Sequence, residues 1–502
     1  MQLTKQNIAQ IKQQEGLVIP AENLFALPEK VLQFGTGVLL RGLPDYFIDK
    51  ANRAGVFNGR VAVVKSTATG GADAFDQQEG LYTLCVRGLE NGQQVEETII
   101  NASISRVLAA KTQWDAILQI AASEDLQIVI SNTTEVGISY VEESIEQNPP
   151  ASFPAKLLAV LYHRYKTFNG DVTKGLVVLP TELITDNGIK LQQIVLQLAA
   201  FNKLEDAFVQ WLQQSNYFCN TLVDRIVPGK LPAAEHKKTE ALLGYTDELM
   251  IMSEVYRLWA IETDSEKVKE ILSFSQTDKG VVLTNNITRF KELKLRLLNG
   301  SHTFTCAYAI LQGFTTVKEA MNNEDFYQFI NGLMKEEIIP ALDSSVVPTD
   351  EAITFANNVL DRYKNPYLEH QWLSIAVQYT SKMFMRNVPL IVGYAKNTGK
   401  VPAKMATGFA AYILLMNIDK NVNGEFEGQI NDRTYTITCQ HAEVLAAKWK
   451  KHEEMGDLVD DILSDTNLWG GTNLANVNGF AQAVKDDVIT LIKQYFSGQV
   501  LT

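Results

Sequence analysis

Over its first half the chain alternates short apolar runs with helical spacings, and over its second half it turns to long amphipathic stretches. Val31-Leu32-Gln33-Phe34 is an apolar run that stops at Gly35-Thr36-Gly37; Leu39, Leu40, Leu43, Phe47, Ile48 and Ala51 then recur at helical spacing. A strand, a glycine turn and a helix are predicted there. Val61-Ala62-Val63-Val64, Ile128-Val129-Ile130 and Leu176-Val177-Val178-Leu179 have the same short apolar form; the last two run out into Ser131-Asn132-Thr133-Thr134-Glu135 and Pro180-Thr181-Glu182. Strands alternating with helical segments predict a mostly parallel sheet whose working edge lies at the strand C-termini. Leu81 to Leu89 and Val95 to Ile104 flank Asn91-Gly92, a dipeptide suited to positive φ at both turn positions, and predict an antiparallel hairpin in or beside that sheet. From about Arg289 the spacing becomes helical, in Glu319 to Leu342, Leu368 to Met385, Pro402 to Met416, Ala442 to Glu454 and Ala481 to Phe496.

A chain of 502 residues exceeds what one hydrophobic core usually serves. The expected fold class is α/β, with a Rossmann-like, dinucleotide-binding N-terminal domain over residues 1–287 and a mainly α-helical C-terminal domain over residues 288–502. The net charge of −13 repels phosphate backbones and anionic headgroups, and with no lysine and arginine tract to counter it, nucleic acid is not an expected partner. An anionic small molecule would have to be received by a local cluster of cations. The four cysteines are scattered without C-x-x-C or metal-knuckle spacing, which fits a reducing compartment and argues against structural zinc. The N-terminus has no apolar signal core, and Gly408 to Met416 is too short to span a bilayer, so a cytoplasmic protein without a membrane partner is expected. Oligomeric state is not legible.

Gly35-Thr36-Gly37 has a physical use at a strand-to-helix turn, since the first glycine permits the tight turn and the second lets backbone approach a pyrophosphate at the helix N-terminus. The third glycine of the usual motif is replaced by Leu40, and a tight turn without a ligand would use the same residues. Where a ribose-binding acid would stand after the second strand, the chain has Lys65-Ser66-Thr67. Lys65 reads either as a receiver of the 2′-phosphate of NADP or as a solvated strand end, so NAD is expected with NADP left open.

Lys294-Leu295-Arg296-Leu297-Leu298-Asn299-Gly300-Ser301-His302 opens the helical half. At about 100° per residue, Asn299 lies about 140° and His302 about 80° from Lys294, so a base, an amide and an imidazole can converge on one ligand. At a carbonyl being reduced they could donate the proton, hold the developing alkoxide and bond a neighbouring hydroxyl. On spacing alone the same residues also read as a solvated basic face, a helix irregularity and a buried core histidine.

Lys294, Asn299 and His302 match the K-x-x-x-x-N-x-x-H signature of the polyol-specific long-chain dehydrogenases, also called the mannitol dehydrogenase family, which the chain resembles over nearly its whole length. Phe34-Gly35-Thr36-Gly37-Val38-Leu39-Leu40-Arg41 looks like that family's F-G-x-G-x-x-x-R cofactor turn. Asp76-Gln77-Gln78-Glu79-Gly80-Leu81-Tyr82-Thr83 is similar to its Q-x-G-L-Y segment, and Val223-Asp224-Arg225-Ile226-Val227-Pro228 to its V-D-R-I-x-P box. Ser131 to Tyr140, Asn299 to Thr303, Arg362 to Tyr367 and Thr380-Ser381-Lys382 resemble the branch that handles keto-uronates. The mannitol branch carries a D-N-L triplet where this chain has Glu182-Leu183-Ile184, a departure that favours a hexuronate over a plain hexitol.

The resemblance implies a metal-independent dehydrogenase moving a hydride between a nicotinamide and a ketone carbon, with Lys294 as acid/base, Asn299 at the oxyanion and His302 on substrate. It implies cofactor contacts at Phe34, Gly35, Thr36, Gly37, Arg41, Lys65, Asn132, Thr133 and Glu135. Substrate contacts are implied at Asp224, Arg225, Lys382 and Arg362, the last two as candidates for the carboxylate. Fructuronate, mannitol and sugar phosphates remain rival substrates, and a nucleotide-binding regulator without turnover is the reading from a different class.

Overall fold

The apolar run around Val31 becomes the central strand, β1 (Glu29–Phe34), of a six-stranded sheet in the computed structural model, which describes residues 1–65, 72–133 and 137–496. Its companions are β2 (Arg60–Lys65), β3 (Ile104–Ala109), β4 (Ile128–Ser131), β5 (Val177–Pro180) and β6 (Tyr217–Phe218). The spatial order is β3-β2-β1-β4-β5-β6 and every pairing is parallel, the Rossmann-like arrangement expected from the alternating pattern. Strand order reverses at β1 and β4, so the turns after those two strands flank the crevice where such sheets take ligands.

The unbroken apolar character of these strands follows from burial on both faces. Val31, Val61, Val63, Ile128, Ile130, Val177 and Leu179 point into one core; their neighbours Leu32, Phe34, Ala62, Val64, Val129 and Val178 point into another. The hairpin forms from Tyr82–Glu90 and Gln93–Asn101, with φ of 54° at Asn91 and 74° at Gly92. It lies outside the six-stranded sheet, in a second sheet with Leu17–Val18 and Ile251–Ser253. A third sheet, from Thr221–Asp224, Leu258–Glu262 and Val281–Thr284, has no counterpart in the sequence reading.

Residues 1–88 with 94–287 form one compact unit, and residues 89–93 with 288–502 a second. The second is mainly helical, but two of the long stretches anticipated there are broken. Glu319 to Leu342 divides into Val317–Met321 and Glu324–Gly332, because the Asn323 side chain accepts from Phe326 N and starts a new helix, and then passes into π-helical turns at Leu333–Ile338. Leu368 to Met385 divides into Trp372–Ile375, Tyr379–Lys382 and the π-helical Met383–Asn387, with Gln378 at a φ of 55° at the break. A small antiparallel sheet, Ile418–Lys420, Phe426–Ile430 and Arg433–Ile437, is also present and was not anticipated. Among the described residues no helix is long and apolar enough to cross a membrane.

Candidate active site

In the first unit the glycine turn leaves β1 with Gly35 N donating to Val64 O at 3.0 Å, which fixes the turn on the end of β2. Gly35 adopts a φ of 125°, and a Cβ there would sit 3.0 Å from Leu40 Cδ1 and 3.1 Å from Asn132 O, so conformation and space both require glycine. Gly37 is exposed, and a Cβ on it would meet nothing within 4 Å. The residues therefore fit a dinucleotide: one glycine makes the turn and the other presents open backbone at the head of helix Val38–Gly42. Thr36 between them is half-buried. From below, Gln33 Nε2 donates to Gly35 O and to Asp45 Oδ2, both at 3.3 Å.

The turns after β4 and β5 are tied together across the working edge. Asn132 Nδ2 donates to Thr181 O and Oγ1 at 3.2 and 3.0 Å; Thr133 N and Oγ1 donate to Glu182 Oε1 at 2.7 and 3.0 Å. Ser131 Oγ donates to the other oxygen of Glu182 at 3.2 Å. Glu182 thus closes the strand ends, and Leu183, next to it, is exposed. Glu135 lies outside the described residues.

Several residues expected at the cofactor or substrate are built into the scaffold. Lys65 is buried, so the solvated strand end considered above does not hold. Phe34 packs its ring on Phe153, with centroids 5.1 Å apart. Arg41 is buried over the rings of Phe75 and Tyr82 and donates to Leu249 O at 2.7 Å; burial lowers its pKa. Asp224 is buried at its strand end. Arg225 donates to Glu254 O at 3.0 Å and to Gly42 O and stacks over Tyr46, which leaves Nη2 as its one buried nitrogen without a partner among the described residues. The spacing of an arginine box reads the same whether the guanidinium meets a ligand or a carbonyl, which is why the sequence could not separate these roles.

In the second unit Lys294 and Asn299 lie on π-helical turns, Leu293–Gly300, that continue into the α-helix Ser301–Leu311. A π-turn bonds each residue to the one five positions away, so Lys294 and Asn299 fall one above the other, where α-helical geometry would splay them. The wheel drawn from 100° per residue is corrected accordingly.

Side chains from other elements hold the turns open. Tyr363 Oη donates to Leu298 O at 2.7 Å and shares a hydrogen bond with Ser301 Oγ at 2.9 Å, while Ser301 Oγ bonds Leu297 O. With the buried Asn387 amide oriented to satisfy both neighbours, its nitrogen donates to Gly300 O and its oxygen accepts from Phe304 N, each at 3.3 Å. A side chain lodged between residues four apart opens the helical ladder at that point.

Lys294 and Asn299 are half-buried, and the Asn299 amide makes no side-chain hydrogen bond among the described residues. His302 is 7% exposed, stacked on Tyr363, and its Nε2 has no partner there. Burial drives its pKa well below 6.5, and His370, Arg362, Arg386 and Lys382 add to the effect. Lys382 and Arg362 are thus close enough to act on His302, together with Arg386 and His370, which sequence reasoning missed. Arg386 stands four residues after Lys382, a spacing that would have flagged it. Among the described residues no three His, Cys, Asp or Glu side chains gather to hold a metal ion.

Two family models match: the mannitol dehydrogenase Rossmann domain over residues 29–272 and the mannitol dehydrogenase C-terminal domain over residues 286–492. The chain is 41% identical over 444 residues to the altronate oxidoreductase of Bacillus subtilis (strain 168), covering 88% of each chain. It is 36% identical over 473 residues to the altronate oxidoreductase of Yersinia enterocolitica, covering 93% of this chain and 95% of that one. In fold it is similar to a substrate-free D-sorbitol dehydrogenase, with a TM-score of 0.78 at 17% identity over 98% of both chains. It is also similar to the Pseudomonas fluorescens mannitol 2-dehydrogenase ternary complex with NAD and D-mannitol, with a TM-score of 0.67 at 22% identity over 99% of this chain and 100% of that one.

Proposed function

The chain belongs to the mannitol dehydrogenase family, as an NAD-dependent dehydrogenase, and on that premise we propose that it interconverts D-altronate and D-tagaturonate. The observation that carries the substrate is the pair of cations Lys382 and Arg386, the latter held on Thr303 beside His302, in a chain whose net charge is −13. Both are half-buried, and a carboxylated sugar supplies an anion to such a pair where a hexitol does not. The name shared by the Bacillus and Yersinia relatives supports the same choice.

In the direction of reduction, the ketone oxygen gains negative charge as its carbon gains a hydride, and the Asn299 amide donates a hydrogen bond to it. Lys294, one π-turn away, delivers the proton that completes the hydroxyl; in oxidation it takes that proton back. Neutral His302 bonds a neighbouring substrate hydroxyl through Nε2. Gly35 to Gly37 would hold the nicotinamide cofactor, which when bound would supply the hydride chemistry. Because Lys294 handles the proton and Asn299 the oxyanion, the reaction calls for no metal. The four cysteines are unpaired, as suits the reducing cytoplasm in which we place the enzyme.

The test is a panel of tagaturonate, fructuronate and fructose assayed with NADH and NADPH after dialysis against a chelator. Tagaturonate with NADH should give the highest kcat/KM, and activity should survive the dialysis. A preference for fructuronate or fructose would reject the substrate, and activity restored only by zinc would reject the mechanism.

A further inference from the structure

We infer that Arg386, held by Thr303, is the residue by which the site selects a carboxylated substrate; the inference rests on the altronate–tagaturonate reading and names the group that enforces it. Lys382 ends helix Tyr379–Lys382 and Arg386 lies in the π-turns Met383–Asn387 that follow, so the two cations share one side of a continuous helical segment. Burial lowers the pKa of both, and the Arg386 charge lowers that of Lys382 further. Neither has a carboxylate within ion-pair distance among the described residues. The other groups that bear on His302 are His370 and Arg362.

The two cations are unequal as readers of a carboxylate. Lys382 Nζ donates to Ile375 O at 2.9 Å, and its remaining capacity is that of a point charge, which attracts an anion but fixes no planar, two-oxygen geometry. Arg386 presents a planar fork of five N–H groups and commits one of them, Nη1, to Thr303 Oγ1 at 3.1 Å. The rest of the fork matches two carboxylate oxygens at once, a geometry no hydroxyl reproduces.

Arg386 is also fixed in register with the reacting end of the site. Thr303 Oγ1, which receives Arg386, itself donates to Asn299 O at 2.8 Å, so one hydroxyl joins the anion reader to the residue assigned to the oxyanion. The backbone beneath Arg386 is pinned on both sides. Arg296 Nη1 donates to Met385 O and Arg386 O at 2.8 and 2.9 Å, and the next residue, Asn387, is lodged between Gly300 and Phe304. A substrate bound by its carboxylate at Arg386 would therefore present its ketone at a set distance along the chain of carbons, which is what distinguishes one keto-uronate position from another.

The experiment compares wild type, Arg386→Gln, Arg386→Lys and Thr303→Val with tagaturonate and with fructose, an uncharged ketose, and measures NADH affinity and thermal midpoint as controls on folding. Arg386→Gln should lower the ratio of the two kcat/KM values on the order of tenfold to a hundredfold. Arg386→Lys should recover only part of the ratio, added guanidinium ion should restore some of it to the Gln variant, and Thr303→Val should raise KM for tagaturonate more than it lowers kcat. An unchanged ratio in Arg386→Gln, or full recovery by lysine, would overturn the role of Arg386 while leaving the altronate–tagaturonate reading intact. Absence of any turnover of keto-uronates by the wild type would instead overturn that reading and this inference with it.

Discussion

The imidazole of His302 lies flat against the phenol of Tyr363, with ring centroids 4.0 Å apart and planes 17° from parallel. The contact buries the imidazole and keeps it neutral, since burial first and the cations around it second lower its pKa well below 6.5. The unfolded chain takes up a proton near 6.5 that the folded chain refuses, so folding stability is lost as pH falls below that value. Between pH 8 and 5, the thermal midpoint of the wild type should fall more steeply than that of His302→Asn. Parallel curves for the two proteins would show that the ring is not held neutral by this contact.

Lys294→Ala should remove most of kcat, by about 10²- to 10⁴-fold, because a general acid and base contributes that much to proton transfer. Affinity for NADH, measured by fluorescence titration, should stay close to wild type, since the glycine turn belongs to the other unit. Near wild-type turnover would remove Lys294 from the mechanism.

Asn387→Ala should lower both stability and kcat. The change leaves Gly300 O and Phe304 N without their side-chain partner, at a cost of about 1–3 kcal/mol for each buried group left unpaired. Relaxation of the turns toward α-helix would move Asn299 away from Lys294, and a displacement of that kind costs on the order of a hundredfold in rate. Calorimetry reads the first effect and steady-state kinetics the second; a variant that loses stability but keeps kcat would show that the π-turns do not depend on Asn387.

Asp45→Asn should stabilise the protein above neutral pH. Asp45 is fully buried, its Oδ1 has no partner among the described residues, and burial raises its pKa to about 7. Ionisation is therefore opposed in the folded chain, and stability is lost as pH rises from about 4 toward 7. The asparagine variant carries no such loss, so its advantage in thermal midpoint should appear at pH 8 and vanish at pH 4. An advantage that is constant across this range would trace to packing and not to the charge.

The sequence by itself determined the sheet and put forward the residues proposed to react. Period-two burial on two faces leaves Val31, Val63, Val129 and Val178 no alternative to a buried parallel strand, and Gly35 is the residue a φ of 125° demands. These properties are local, so they can be read along the chain. What only the tertiary structure decided is how the reactive residues face one another. Lys294 and Asn299 align because Tyr363 and Asn387, 69 and 93 positions after Lys294, reach across to carbonyls that an α-helix would have satisfied internally. Arg41 and Arg225 meet carbonyls of Leu249 and Glu254, and Arg386 meets Thr303, by the same kind of distant pairing. A guanidinium has the same five donors whether it meets a carbonyl or a carboxylate, and only the folded chain supplies the partner that settles which.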